Sequence, residues 1–175
     1  MNIVQSLNYR RRAGHRSDAK RVLEIFYGAL REHGFAAIPE NVNAEISNFG
    51  LGTDPRFDEL VALSCGKVCG FLILVPTDRA SCGELLKIFV APSHRGQGVA
   101  TMLIDECVRR ATERGYRDLI LETHTAFATG RRYYENHGWT LMPHLPAEVS
   151  PTRIYTLSLW RRPFGRRPIS GISVR

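Results

Sequence analysis

The 175-residue chain is 43% hydrophobic, enough for one globular domain with a sizeable core, and carries a formal net charge of +7. Its basic character is terminal: residues 1–21 and 161–175 each contribute +5, leaving residues 22–160 at −3, and no aromatic-interleaved basic stripe points to a nucleic-acid partner. No apolar run is long enough for a membrane span or a signal-peptide core, so a soluble cytoplasmic protein without a membrane partner is the expectation.

Taken in order, residues 4–12 show a weak strand-like alternation, with Val4, Ser6 and Asn8 against Gln5, Leu7 and Tyr9. Ser17-Asp18 then supplies an N-cap and a first-turn acid. Ala19, Val22, Leu23, Phe26 and Leu30 follow at helical spacing, and Gly34 stops the helix. Residues 40–49 pattern poorly as a second short helix before a loop holding Gly50, Gly52 and Pro55. Glu59–Ser64 and Val68–Val75 read as a hairpin about Cys65-Gly66-Lys67. Thr77–Gly83 returns the chain to a strand at Glu84–Val90, and an amphipathic helix follows a glycine-rich loop. Gly115 ends that helix. Arg117–Thr123 is a strand, Ala126–His137 a helix closed by Gly138, and Trp139–Met142 and Arg153–Trp160 are two more strands across a loop with Pro143, Pro146 and Pro151. Residues 1–160 thus form one domain, and residues 161–175 a basic tail without periodicity. Cys65, Cys69, Cys82 and Cys107 make no C-x-x-C pair and have no H-x-x-x-H companion, so neither a metal site nor a disulfide framework is expected.

The stretch Glu84–Ala111 carries the chemistry. A strand hands over through Pro92 and Arg95–Gly98 to a helix N-terminus, where free N–H groups and the helix dipole favour an anion such as pyrophosphate. Gly96 and Gly98 allow a tight turn and close ligand approach, and Arg95 places a positive charge at the loop entrance. No Lys follows Gly98, which rules against a Walker loop, and Thr101 stands where a dinucleotide fingerprint needs its third glycine. Arg95, Gly98 and Ala100 instead meet the pattern Arg/Gln-x-x-Gly-x-Gly/Ala. With the preceding strand, this resembles the acetyl-CoA pyrophosphate motif of the GNAT superfamily of N-acyltransferases. Tyr134-Glu135-Asn136-His137-Gly138-Trp139 is similar to the same family's Tyr-Glu-x-x-Gly-Phe segment.

The element order agrees with that resemblance across residues 3–160. It implies an α/β fold of the α+β, GNAT-like kind: a mixed, mostly antiparallel sheet of six to seven strands with about four helices, splayed between the fourth and fifth strands. It further implies an N-acetyltransferase that moves acetyl from acetyl-CoA to a primary amine by direct transfer in a ternary complex, without a metal. The acceptor would be a small-molecule or peptide amine, and homodimer formation stays open. Rival readings are a GNAT-fold protein that binds acyl-CoA without turnover and an RNA-associated module using the basic ends.

The resemblance also assigns residues. Main-chain groups of Phe89 and Val90 would meet the pantetheine, and Arg95, Gly96, Gln97, Gly98, Val99, Ala100 and Thr101 would hold the pyrophosphate. Phe127 stands where relatives often carry an Asn that bonds the pantetheine arm, with Thr125 and Thr129 as neighbouring polar substitutes. By residue chemistry alone Tyr134 reads as a core tyrosine; the resemblance makes it the acid for the CoA thiolate, a phenol near pKa ~10 serving a thiol near ~8.5. Glu84 opens the central strand where some relatives place the base that takes a proton from the amine, and alternation puts it on one face with Leu86, Ile88 and Val90. A surface carboxylate is the alternative for Glu84, and Glu122, His124 or water are the other candidates for the base. His94 reads as a solvated or phosphate-adjacent histidine.

Overall fold

A computed structural model describes residues 9–35, 44–143 and 150–159. Expectations for residues 4–8 and 40–43, for most of the proline loop after Pro143, and for the tail from Arg161 lie outside the described residues. The elements run β1 (Arg10–Ala13), α1 (Ala19–Glu32), α2 (Ala44–Ser47), β2 (Asp58–Ser64), β3 (Lys67–Pro76), β4 (Cys82–Val90), α3 (Val99–Glu113), β5 (Asp118–His124), α4 (Ala128–Asn136), β6 (Thr140–Leu141) and β7 (Thr152–Ser158). They build one seven-stranded sheet, ordered β1-β2-β3-β4-β5-β7-β6. Every pairing is antiparallel except β4 with β5. Among the described residues no helix is long and apolar enough to cross a membrane.

Local chemistry explains most boundaries. The β2–β3 hairpin closes on Cys65 (φ 49°) and Gly66 (φ 77°), the two left-handed positions that a twisted two-residue turn requires. The three long helices end alike. Phe35, Tyr116 and Trp139 each donate their amide back to a carbonyl five residues earlier, on Leu30, Ala111 and Tyr134, over the left-handed Gly34, Gly115 and Gly138. Because Gly138 and Trp139 are spent closing α4, β6 is only Thr140–Leu141, shorter than the expected Trp139–Met142.

Two cores sit on the two faces of the sheet. On the first face, α3 and α4 cover Leu60, Leu72, Leu74, Leu85, Leu119, Leu121, Tyr155 and Leu157. On the second face, α1 and α2 cover Val61, Phe71, Ile73 and Val75. Among the described residues the second cover stops at β4: facing out on the same side of β7, Ile154 is 44% exposed. A charged network ties α3 to the sheet edge. Buried Glu106 accepts hydrogen bonds from Arg109, Arg110 and Arg11, and Asp58 accepts from Arg110 and Arg114. Arg109 first, then Arg110 and Arg11, hold the Glu106 carboxyl at about 2 against the opposing effect of burial.

Candidate active site

The loop after β4 is built for close approach by an anion. Pro92–His94 make one 3-10 turn, and Gly98 (φ 80°) is the N-cap of α3, with Met102 donating to its carbonyl at 3.0 Å. Among the described residues nothing accepts from the backbone N–H groups of Gly96, Gln97, Gly98, Val99, Ala100 or Thr101. The amides of Val99, Ala100 and Thr101 open the 15-residue α3 and have no acceptor within the helix, at the positive end of its dipole. Among the described residues a Cβ added at Gly96 or Gly98 would meet nothing within 4 Å, which leaves space over the loop. Tyr9 donates to the Gln97 side-chain carbonyl at 2.5 Å, and Gln97 in turn donates to the Ser93 carbonyl at 2.9 Å. His94 is half-buried, its Nδ1 2.9 Å from Ser93 Oγ.

Arg95, at the loop entrance, makes contacts that the sequence does not signal. Its Nε donates to the Val90 carbonyl at 3.0 Å and its Nη2 pairs with Glu32, at the end of α1, at 2.7 Å. The guanidinium thus fastens the loop to β4 and α1. A carboxylate partner from so distant a helix leaves no local trace in the sequence.

Behind the loop the sheet opens. β4 and β5 pair only at Cys82–Asp118, Gly83–Leu119 and Glu84–Ile120, after which the strands part into a V. Ala91 donates to Cys69 on β3, so by two-residue alternation the amide of Phe89 also turns to β3, while those of Ile88 and Val90 turn to the open V. Val90 therefore presents its amide at the opening, its carbonyl being taken by Arg95, and Phe89 contributes its ring.

Glu84 sits where the V begins, half-buried, but not on the expected face. The β3–β4 register shifts so that Lys87 faces Ile73 while Leu85 faces Leu74, leaving Leu86 as the extra residue of a β-bulge. The bulge interrupts the alternation. Ile88 and Val90 lie on the α3 side with Leu72 and Gly70, whereas Glu84, Leu86, Lys87 and Phe89 lie on the α1 side. Glu122 and His124 share that side, and with Glu84, Leu86, Lys87, Thr123 and Thr152 they line a depression of ≈ 240 Å³. Burial, then the nearby Glu122 charge, push the Glu84 carboxyl above the usual carboxylate range, with Lys87 opposing. Lys87 itself is paired with Glu45 of α2 at 3.2 Å.

Tyr134 approaches from the opposite side of the sheet. It is 7% exposed, with the rings of Trp139, Tyr155 and Tyr133 between 5.6 and 5.9 Å away. Its hydroxyl lies over Gly130, where an added Cβ would stand 3.9 Å from it. Burial first, then the Tyr133 and Tyr155 phenols, raise its pKa well above that of a free phenol. Tyr155 donates to Glu135 at 2.7 Å, fixing the ring that supports Tyr134.

One feature of the V went unseen in the sequence: a chain of rings across it. Phe89 on β4 meets Phe127 edge-on at 5.9 Å. Phe127 stacks with Phe35 at 5.6 Å, and Phe35 meets His124 of β5 edge-on at 4.8 Å. His33 adds a tilted contact to Phe127 at 4.6 Å. Phe127 is the N-cap of α4, which begins at Ala128 rather than Ala126, and it makes no side-chain cap bond. Of its polar neighbours, Thr129 is exposed, while Thr125 uses its amide to hold Pro151 at 2.7 Å. Among the described residues no group of three or more His, Cys, Asp or Glu could hold a metal ion.

Comparison with known proteins follows the same lines. The model of the acetyltransferase (GNAT) family matches residues 22–139. N-acetyltransferase family 8 member 2 of Rattus norvegicus is 28% identical over 140 residues, covering 78% of this chain and 60% of that protein. An uncharacterized N-acetyltransferase of Schizosaccharomyces pombe is 26% identical, covering 63% of this chain and 69% of the other. Among solved structures, a GNAT-family acetyltransferase from Staphylococcus aureus Mu50 superposes with a TM-score of 0.74 at 17% identity, over 87% of this chain and 99% of that one. PaiA N-acetyltransferase from Thermoplasma acidophilum, solved in complex with coenzyme A, gives 0.69 at 15%, over 86% and 99%.

Proposed function

We propose a function from one premise: this chain belongs to the GNAT acetyltransferase family. On that premise it is an acetyl-CoA-dependent N-acetyltransferase that carries acetyl directly to a primary amine while both substrates are bound. The observation that carries the reading is a helix N-terminus beneath two glycines with open space above them, beside strands that part.

A pyrophosphate would suit that cradle, because the helix start offers N–H donors and a positive dipole end, and among the described residues no side chain stands over the two glycines. Gly96–Thr101 would hold it, and the outward main chain of Ile88 and Val90 would line the arm passing through the V. Bound there, acetyl-CoA would supply an acetyl group activated as a thioester. Glu84, held partly protonation-prone by burial, would draw the acceptor's ammonium and take its proton, since an alkylamine near pKa ~10.4 has no free lone pair at neutral pH. Tyr134, kept protonated by its apolar surroundings, would give its hydroxyl proton to the departing thiolate from the other side of the sheet. The two groups act on opposite faces of the V, which separates the proton taken from the proton given.

The test is a screen of primary amines with acetyl-CoA, following free thiol and the mass of each amine. Thiol release matched by a gain of one acetyl on an amine supports transfer. Tight acetyl-CoA binding without thiol release across the panel would replace the enzyme by a non-catalytic acyl-CoA-binding protein.

A further inference from the structure

The depression on the α1 side of the V has a lining whose chemistry is divided. One end carries Glu84 and Glu122, close enough that the charge of Glu122 acts on Glu84, and neither forms an ion pair among the described residues. The cation on the same lining, Lys87, is engaged by Glu45. Thr123, His124 and Thr152 add polar groups, and Leu86 is the apolar member of the lining. Beside the lining, the register of β5 with β7 sets Ile154, 44% exposed, next to Glu122. Over His124 lies Phe35, the first of the half-buried rings that run through Phe127 to Phe89. At ≈ 240 Å³ the space is below the ~300–1,000 Å³ of drug-sized ligand sites, so it suits a small molecule.

We infer that the acceptor is a small primary amine on an apolar, ring-bearing body and without a carboxylate of its own: an arylalkylamine or a close analogue. Its ammonium is drawn to Glu84 and Glu122, and its body covers Leu86, Ile154 and the exposed edge of Phe35. An α-amino acid would bring a third carboxylate to the two already there, with Lys87 already paired. A diamine would set its second ammonium against Ile154 and the rings, where a desolvated charge is costly. This inference rests on the acetyl-transfer reading and names the substrate class for that site.

The experiment compares phenethylamine, phenylalanine and 1,4-diaminobutane as acceptors, with thiol release as readout and acetyl-CoA binding measured separately. Phenethylamine should exceed both others in kcat/KM by about tenfold or more, the discrimination a single apolar pocket provides. Preference for phenylalanine overturns the exclusion of carboxylates, and preference for 1,4-diaminobutane makes the site one for dications; either overturns the inference. Acetyl-CoA binding with turnover of none of the three also overturns this acceptor class, while leaving the acetyl-transfer reading to the wider screen. Failure to bind acetyl-CoA removes both.

Discussion

The two faces of the V are made differently. On the α3–α4 face, Tyr134 is locked among Trp139, Tyr155 and a continuous core that reaches Leu119 and Leu157. On the α1–α2 face the cover among the described residues ends at β4, and the groups around the opening are half-buried: Glu84, Leu86, Phe35, Phe127 and His124, with Ile154 and Glu122 exposed. A closed, apolar surface holds one phenol in one place and one protonation state. An open, mixed surface can admit and select a second molecule. On the proposed reading, the fixed chemistry would lie on the packed face and the choice of acceptor on the open one.

The largest effect should come from the packed face. Tyr134→Phe keeps the ring and its contacts while removing the proton, so kcat should fall by about 10²–10⁴-fold with acetyl-CoA affinity little changed. Steady-state rates with calorimetry decide this: an unchanged kcat would leave Tyr134 a packing residue, and lost affinity would make it a binding one.

Stability should divide along the same line. Leu72, fully buried on the packed face, should lose about 2–5 kcal/mol on Leu72→Ala by denaturant titration. Ile154→Ser, on the open face, should stay within about 0.5 kcal/mol. A large loss at Ile154 would show that this face is covered in solution.

Glu84 gives the smallest shift in stability and a test of sign. Its folded pKa is raised, so the folded state binds that proton more tightly than the unfolded chain does. The contribution to stability is therefore full below the ordinary carboxylate range and is lost as pH rises through the raised value. Glu84→Gln, which stays neutral, should equal wild type in acid and exceed it at neutral pH. Solvent screening of this half-buried group keeps the gain under ~1 kcal/mol, or about 2–4 °C in thermal midpoint. The same variant should lose the limb of the pH–rate profile that rises with ionisation of the base. A lower midpoint at neutral pH would contradict the assigned shift.

What could be read in the sequence follows from how local each cause is. The loop and α3 were legible because left-handed glycines and a periodic apolar face are properties of neighbouring residues. The Tyr134–Trp139 segment was legible for the same reason: Gly138 turns the chain so that Trp139 returns to Tyr134. The face of Glu84 was not, because the bulge at Leu86 belongs to the pairing of β4 with β3 and leaves no residue signature. The bond of Arg95 to Glu32 and the ring chain from Phe89 through Phe127 and Phe35 to His124 were equally hidden. Their members come from separate elements that only the folded sheet brings together. The glycine loop is thus written locally, and the α1 side of the V is written in tertiary contacts.

The most direct measurement is acetyl-CoA calorimetry on wild type and Gly98→Val, each first shown to be folded by its thermal transition. Among the described residues Gly98 has open space where a side chain would go, at the N-terminus of α3. Wild type should bind acetyl-CoA, and the isopropyl group should occupy the pyrophosphate's place and abolish measurable binding. Equal affinity in the two proteins would contradict the loop as the cofactor site, and with it the division of the V into a cofactor face and an acceptor face.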